Sequence, residues 1–311
     1  MNVLVTGASG FVGGHLVPAL RARGHEVVTL DRSTDSPFAA EGVPHYAADI
    51  LDVEQLTAIF GKEHPNAIIH LAAISNVPYA WEHPLDTCTI NAGGTVSVIE
   101  AAHHAAPGAR LLLVGSSDVY GRTAKQGVPL TEDSTPQPQN PYSITKYCAE
   151  QMAEKLAERY DMDILVTRSF NHYGPGQKPG FVVSDFARQI ARIARGDQPP
   201  VLRVGDLTAM RDFTYVSDVI GAYIALVESD APRGIYNICS GQARRMDDIL
   251  ARMIRIAQLD IQVEQDPAKL RPSDVPYFVG DASKLKAATH WQPHVTIEDG
   301  LAKTITSWQE P

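Results

Sequence analysis

Residues 3–16 read VLVTGASGFVGGHL, a short apolar run that leads into three glycines with the spacing GxxGxxG and then into an amphipathic segment. Strand, glycine turn and helix follow one another in the order that a dinucleotide-binding unit requires. Glycines at these positions allow a tight turn and bring the backbone close to a pyrophosphate on the first amides of the helix. The cofactor contacts predicted for this turn are Gly7, Gly10, Phe11, Val12 and Gly13.

The first half of the chain continues this alternation of short apolar runs and longer amphipathic segments. The predicted strands are residues 2–6, 26–31, 45–47, 67–71, 110–116 and 163–168, and the predicted helices are residues 11–23, 53–62, 85–104 and 142–160. Such a rhythm is typical of a parallel sheet covered by helices on both faces. We therefore predict an α/β fold with a Rossmann-like doubly wound parallel sheet.

Beyond Arg168 the rhythm changes, because proline and glycine concentrate in NHYGPGQKPG, GDQPP and KLRPSDVP. We expect a smaller α/β domain there that binds the substrate. The segment VSDVIGAYIALVE followed by IYNICSG again has the pattern of a helix and a buried strand, which indicates a return to the first sheet. The predicted dinucleotide-binding domain is residues 1–168 with about 213–241, and the predicted substrate domain is about 169–212 and 242–311.

The composition of the 311 residues excludes several classes of protein. A net charge of −9 argues against nucleic acid as the main partner, since that binding depends on lysine and arginine at phosphates. The three cysteines are far apart and show no CxxC or Cys/His spacing, so we expect neither a metal site nor a disulfide framework. The sequence shows no signal-peptide pattern and no apolar stretch of about 18 residues, which predicts a soluble, cytoplasmic protein without a membrane anchor.

The second predicted strand ends at Asp31, 24 residues after Gly7. An acidic residue at about this distance accepts hydrogen bonds from the adenosine ribose, and its charge favours NAD(H) over a 2′-phosphate. Arg32 follows immediately and could pair with that phosphate, so NADP(H) stays open. Asp49 and Ile50, after the third strand, are predicted to meet the adenine. The cofactor contacts predicted at the end of the fourth strand are Leu71, Ala72 and Ala73.

A serine near the end of the fifth strand and a YxxxK pair in the next helix are the candidate catalytic groups. Tyr142 and Lys146 are spaced i, i+4, so their side chains lie on one face of a helix. A phenol has a pKa of about 10, and a nearby ammonium lowers it toward the range that is useful for acid–base catalysis. Ser116 can hydrogen-bond the substrate oxygen that Tyr142 protonates. The sequence therefore predicts Ser116, Tyr142 and Lys146 as catalytic residues, with the last two also contacting the cofactor.

These features, in this order, resemble the extended short-chain dehydrogenase/reductase family of NAD-dependent epimerases and dehydratases. The resemblance rests on TGASGFVGGHL, HLAA, GSSDVYG, PYSITKYCAE and RSFNHYGPGQ and covers nearly the whole chain. It implies an NAD(P)-dependent enzyme that acts on nucleotide sugars, in which Lys146 also binds the nicotinamide ribose. Asn91 matches an asparagine that stabilises the sheet in that family, although a helix N-cap is an equally good interpretation of this residue.

The second half is similar to the branch that contains GDP-mannose 4,6-dehydratases and GDP-4-keto-6-deoxy-mannose reductases, and within it to the reductases most. This implies a GDP-sugar as substrate, reduction of its C4 ketone, and GDP-rhamnose or its C4 epimer as product. Asp118 stands where dehydratases carry a longer glutamate, which favours reduction over elimination of water. The substrate-binding residues implied are Ser75, Ser117, Asp118, Asn171, Lys178, Val182, Arg211 and Arg271.

Several alternatives stay open from the sequence. A nucleotide-sugar 4-epimerase would use the same residues with tightly bound NAD, and a GDP-mannose 4,6-dehydratase would remove water instead. A non-catalytic nucleotide-sensing module is disfavoured because both Tyr142 and Lys146 are present. The resemblance also implies a homodimer in which residues 96–104 and 142–160 pair across a two-fold axis, although apolar positions there could equally be buried within the monomer.

Overall fold

The structure is a computed structural model that describes residues 1–269 and 275–309. Its strands, in chain order, are β1 (Asn2–Thr6), β2 (Glu26–Asp31), β3 (His45–Ala47), β4 (Ala67–His70), β5 (Arg110–Val114), β6 (Ile164–Ser169), β7 (Asn171–Tyr173), β8 (Val201–Val204), β9 (Met210–Tyr215), β10 (Gly234–Ile238), β11 (Ala243–Arg245), β12 (Gln262–Gln265) and β13 (Tyr277–Phe278).

The helices lie between these strands and at the end of the described chain. They are α1 (Phe11–Ala22), α2 (Val53–Glu63), α3 (Val77–Glu82), α4 (Pro84–Cys88), α5 (Gly94–Ala105), α6 (Pro141–Tyr160), α7 (Val182–Ala194), α8 (Val216–Glu228), α9 (Met246–Ala257), α10 (Ser283–Thr289) and α11 (Ile297–Gln309). A π-helical segment covers Thr89–Gly93, and 3₁₀ segments cover Ala39–Glu41, Ser117–Gln126 and Pro267–Lys269.

A parallel sheet is the centre of the fold, with its strands in the order β3-β2-β1-β4-β5-β6-β10. This order is that of a doubly wound sheet extended by one strand, so the predicted Rossmann-like fold class is confirmed. Strand β10 pairs with β6 in register Ile238 to Ser169, which brings the later chain back to the first sheet. The division of the chain into two domains stays a prediction.

Alternating residues of each central strand face two separate apolar cores. In β1, Val3 and Val5 face the core that contains Leu16 of α1. Leu4 faces the opposite core, which includes Phe60 of α2. Both faces of a parallel sheet must be covered by helices, and this explains why its strands are almost continuously apolar.

The predicted helix over residues 85–104 is confirmed as one continuous helical run, from Pro84 to Ala105. Its middle turn, Thr89–Gly93, is π-helical rather than α-helical, which the sequence did not predict, and this turn contains Asn91. Strand β5 also ends two residues earlier than predicted, so Ser116 lies just beyond the strand. The other strands and helices predicted in the first half agree with the structure within a residue.

A smaller mixed sheet is built around β9, which pairs in parallel with β7 and β13 and antiparallel with β11. Strands β8 and β12 form a separate parallel pair. Helices α7, α9 and α11 pack against one another beside these strands. None of the helices within the described part of the chain is long and apolar enough to cross a membrane.

Candidate active site

The glycine turn after β1 lies against the end of β4. Gly7 has φ +71°, and a Cβ there would come within 2.6 Å of Ala72 N. A Cβ at Gly13 would overlap the carbonyl oxygen of Ala8. Only glycine fits these two positions, because the backbone takes the left-handed region at the first and is crowded at both. The turn therefore has the close approach of chain segments that a dinucleotide cradle needs.

Helix α1 begins directly at this turn. Gly10 is its N-cap and supplies no side-chain hydrogen bond to the helix. The amides of the first helical turn, including those of Phe11 and Val12, have no intrahelical acceptor and lie at the positive end of the helix dipole. These residues fit the diphosphate of a dinucleotide.

The predicted adenosine contacts lie along the next two strands. Asp31 Oδ2 accepts a hydrogen bond from Ser9 N at 2.7 Å, which ties the end of β2 to the glycine turn. Arg32 is exposed beside it, and Asp49 is exposed after β3. Ile50 is only 5% exposed and its side chain packs against Gly94, so little of its surface is left for an adenine ring.

The candidate acid, Tyr142, lies beside the side chain of Ser116, which acts to lower the pKa of the phenol. Ser116 caps the 3₁₀ segment after β5, where its Oγ accepts from Asp118 N at 3.2 Å. Burial raises the pKa of Tyr142, and the charge of Asp118 raises it further, while the side chain of Ser116 acts in the opposite direction. Burial therefore raises the pKa of the phenol overall, whereas the sequence analysis expected Lys146 to lower it.

The candidate lysine lies one turn further along α6. Lys146 Nζ donates a hydrogen bond to Val114 O, the last residue of β5, at 2.8 Å. Its side chain is buried, and burial lowers its pKa to about 8. Tyr142 and Lys146 thus approach the end of β5 from the same face of the helix.

The start of α6 is fixed by its own sequence. Asn140 is the N-cap, and its Oδ1 accepts from Ser143 N at 2.9 Å while Ser143 Oγ accepts from Asn140 N at 3.1 Å. This reciprocal pair is a capping box, and Pro141 fits the first helical position. Because the helix begins here, Tyr142 lies in its first turn beside Ser116.

A buried ion pair holds the same helix to the sheet. Both carboxylate oxygens of Glu150 accept hydrogen bonds from Arg168 of β6, at 2.6 and 2.9 Å. The guanidinium also lies over the ring of Tyr120, 4.7 Å from its centroid. This two-point contact fixes the rotation of α6 relative to the sheet.

Asn91 lies inside the π-helical segment and is not an N-cap. Its Oδ1 accepts from Ile74 N at 2.8 Å, and its Nδ2 donates to Ile74 O at 2.9 Å and to Thr145 Oγ1 at 3.1 Å. The side chain therefore links the loop after β4 to α6, and the N-cap interpretation of this residue is wrong. A widened turn of this kind often marks a functional site.

Arg211, a predicted substrate residue, lies close enough to Asp118 for their charges to interact. It lies on β9, and its charge lowers the pKa of Asp118, which burial raises. Burial in turn lowers the pKa of Arg211, and the charges of Asp118 and Asp206 oppose this. The smaller sheet therefore places a cation near Asp118, just beyond the end of β5.

The other predicted substrate residues have more varied positions. Asn171 Nδ2 donates to Asp212 O at 3.3 Å, and Ser117 is buried. Ser75, Lys178 and Val182 are exposed. Arg271 lies outside the residues that the structure describes.

Three histidines near the site were not identified from the sequence. His172 stacks on Phe11 with ring centroids 6.0 Å apart, and a ring nitrogen of His15 lies 2.8 Å from Pro175 O. Together they hold the loop after β7 against the start of α1. His70, at the end of β4, is buried beside Lys146. No spacing rule marks these residues, since each meets its partner only through the fold.

Comparison with known proteins places this site in a family. A family model described as GDP-mannose 4,6 dehydratase matches residues 4–304. The chain belongs to this family. It is 36% identical to the GDP-6-deoxy-D-mannose reductase of Pseudomonas aeruginosa, over 99% of this chain and 97% of that one.

Solved structures agree with this assignment. The structure of RMD from Pseudomonas aeruginosa complexed with NADPH has a TM-score of 0.88 at 34% identity, with 99% of this chain and 98% of that chain covered. A UDP-glucose 4-epimerase of Thermus thermophilus complexed with NAD has a TM-score of 0.87 at 30% identity, with 100% and 99% covered. These relatives confirm the predicted class, an NAD(P)-dependent enzyme of nucleotide-sugar chemistry, and the predicted cofactor, NAD(H) or NADP(H).

Proposed function

We propose that the protein reduces the C4 ketone of a nucleotide-activated 4-keto-6-deoxy sugar, with GDP-4-keto-6-deoxy-mannose as the substrate. GDP-rhamnose or its C4 epimer is the product, according to which face of the ketone is reduced. The observation that carries the proposal is the 36% identity to GDP-6-deoxy-D-mannose reductase over almost the full length of both chains.

The catalytic residues are suited to this reaction. When bound, the reduced nicotinamide supplies the hydride. Tyr142 donates a proton to the oxygen that becomes an alkoxide, and its raised pKa keeps the phenol protonated at neutral pH, which is the state that an acid needs. Ser116, which lies beside that phenol, orients the same oxygen. The Lys146 ammonium binds the nicotinamide ribose and stabilises the developing negative charge.

Asp118 favours reduction over elimination of water. Dehydratases of this branch carry a glutamate here that removes a sugar proton, and aspartate is one methylene shorter. Burial also raises the pKa of Asp118, with Arg211 as a counter-charge that lowers it. In our proposal this carboxyl group contacts the sugar without acting as its base.

The remaining predicted residues bind the two nucleotides. The glycine turn holds the cofactor diphosphate. Asp31 and Arg32 contact the adenosine ribose, which carries a 2′-phosphate in NADP(H) and a free 2′-hydroxyl in NAD(H). Arg211 binds the diphosphate of the substrate, since a guanidinium fork matches phosphate oxygens. The other proposed substrate contacts are Ser75, Ser117, Asn171, Lys178, Val182 and Arg271.

A coupled assay tests this function against its main alternative. With GDP-4-keto-6-deoxy-mannose and either NADPH or NADH, we expect the absorbance of the reduced nicotinamide to fall in proportion to the sugar consumed. A 4-epimerase is the second candidate, because epimerases are among the similar structures. It would interconvert UDP-sugars without added cofactor and retain NAD through purification. That result, with no oxidation of NADPH or NADH, would overturn the proposal.

A further inference from the structure

A small cavity lies beneath Lys146, between the main sheet and helices α5 and α6. Its volume is about 10 Å³, and its polar lining comes from the side chains of His70, Thr95, Lys146 and Glu150. A space of this size holds about one water molecule, provided that two to four polar groups face it.

His70 offers a buried hydrogen-bonding group at this position. Its side chain is 3% exposed, and Nδ1 lies 2.7 Å from Thr6 Oγ1. No hydrogen-bond partner for Nε2 occurs within the part of the chain that the structure describes. A buried polar nitrogen without a partner destabilises the fold, so such groups are normally satisfied by protein or by ordered water.

The hydrogen bonds of Thr6 favour one of the two neutral tautomers of His70. Thr6 Oγ1 accepts a hydrogen bond from Ala72 N at 3.4 Å, which leaves its own hydrogen for His70 Nδ1. With Nδ1 as the acceptor, the proton of the neutral ring lies on Nε2. Burial, with a smaller contribution from the charge of Lys146, lowers the pKa of His70 to about 3, so the ring is neutral at working pH.

His70 Nε2–H and the Lys146 ammonium are both donors, so they need an acceptor between them. We propose that His70 and Lys146 share one buried water in this cavity, and that His70 is thereby a positioning residue for Lys146. The water accepts from both nitrogens. It donates to Glu150, whose carboxylate keeps lone pairs beyond the two Arg168 bonds, and to Thr95 Oγ1, whose own hydrogen goes to Asn91 O at 2.7 Å.

The water gives each hydrogen of the ammonium a defined direction. One goes to Val114 O and one to the water, so the third is left for a ribose hydroxyl of the cofactor. This last step rests on the proposed role of Lys146, whereas the water itself and the tautomer of His70 do not.

Two measurements on the cofactor-free protein test the site without any turnover. Long-range ¹⁵N–¹H correlation spectra of the His70 ring are expected to report the Nε2–H tautomer between pH 6 and 8. A high-resolution crystal structure is expected to contain one ordered water within hydrogen-bonding distance of His70 Nε2 and Lys146 Nζ. A dry cavity or an Nδ1–H tautomer overturns the proposal and leaves the reductase function untouched.

A matched pair of variants tests the positioning role. His70→Gln places an amide N–H close to the position of Nε2, whereas His70→Leu removes the donor at similar volume. We expect His70→Leu to raise the KM for NADPH about tenfold, with a much smaller effect on kcat, since one hydrogen bond of about 1.4 kcal/mol is worth that factor. His70→Gln should restore the KM to within about threefold. Equal KM values in the two variants, at equal thermal stability, overturn the positioning role.

Discussion

Burial shifts the pKa of Tyr142 and that of Lys146 in opposite directions. Removing a group from water disfavours its charged form, which is the phenolate of tyrosine and the ammonium of lysine. The pKa of Tyr142 is therefore raised, and that of Lys146 falls to about 8. The sequence predicted which two residues lie together, because i, i+4 spacing is local, but the sign of the phenol's shift depends on Asp118 and on burial by the whole fold.

Removal of the phenol should abolish proton donation without disturbing the cofactor site. For Tyr142→Phe we expect kcat to fall by about 10²–10⁴, the usual worth of a positioned acid, while the Kd for NADPH changes little. Steady-state kinetics and fluorescence titration of NADPH measure the two quantities. Tyr160→Phe is the control on the same helix, since that hydroxyl bonds Glu100 at 2.8 Å far from the site and its loss should leave kcat unchanged. A Tyr142→Phe enzyme with wild-type kcat would remove this residue from its role.

The lowered pKa of Lys146 predicts an alkaline limit to activity. The ammonium is present below its pKa and is lost as pH rises through about 8, so kcat/KM for NADPH should fall above that pH. In Lys146→Arg the charge persists, because a guanidinium does not lose its proton in this range, and a weaker but pH-independent kcat/KM is expected up to about pH 10. If kcat/KM of Lys146→Arg falls over the same alkaline range as that of the wild type, a group other than Lys146 titrates there.

The π-helical segment between α4 and α5 is the element whose shape the sequence did not predict. An apolar period continues through residues 85–104 and indicates one regular helix. In the structure one turn of this helix is widened at Asn91, whose side chain bonds Ile74 and Thr145, 17 and 54 residues away. A bond between distant segments leaves no periodic trace in the sequence. For the same reason the sequence did not predict that His70 lies beside Lys146. The glycine turn was predictable because its geometry depends on neighbouring residues alone.

Truncation of Asn91 tests the link that this segment makes. Asn91→Ala removes three hydrogen bonds and leaves the part-buried backbone N–H and C=O of Ile74 unpaired, so we expect the free energy of unfolding in urea to fall by about 2–4 kcal/mol. Asn76→Ala makes the same chemical change but removes only the cap bond to Tyr79 N, for which a loss of about 1 kcal/mol is expected. Equal losses in both variants would contradict the linking role of Asn91.

Across the whole molecule, Asp212 joins the smaller sheet to the main one. Its carboxylate lies on β9 and accepts from Ser240 N and Oγ and from Gly241 N, at 2.6–2.9 Å, just beyond β10. It also accepts from Gly280 N at 3.4 Å. Through this contact β9, which carries Arg211, keeps a fixed position relative to the end of β10 in the main sheet. The composition and the alternation of strands and helices predicted a chain in two parts. Neither feature predicted that the carboxylate of Asp212 joins the two sheets.

Neutralising this residue should destabilise the protein as a whole. Asp212→Asn turns one acceptor oxygen into an NH₂ that faces other donors, and we expect Tm to fall by about 5 °C or more, which corresponds to about 2 kcal/mol for a chain of this size. Asp197→Asn is the matched control, because that carboxylate is exposed and pairs only with the neighbouring Arg195 at 2.9 Å in the described part of the chain. A similar Tm for both variants, by scanning calorimetry, would contradict the joining role of Asp212.

The central claim is that the hydride of a reduced nicotinamide ends on C4 of the sugar. The most direct test uses NADPH, and separately NADH, carrying deuterium at the transferred position of C4 of the nicotinamide, with GDP-4-keto-6-deoxy-mannose as the acceptor. Mass spectrometry and NMR of the product are predicted to find one deuterium per molecule, at C4 of the 6-deoxy sugar. An unlabelled product, or a sugar whose C4 configuration inverts while the added cofactor stays reduced, would contradict the account.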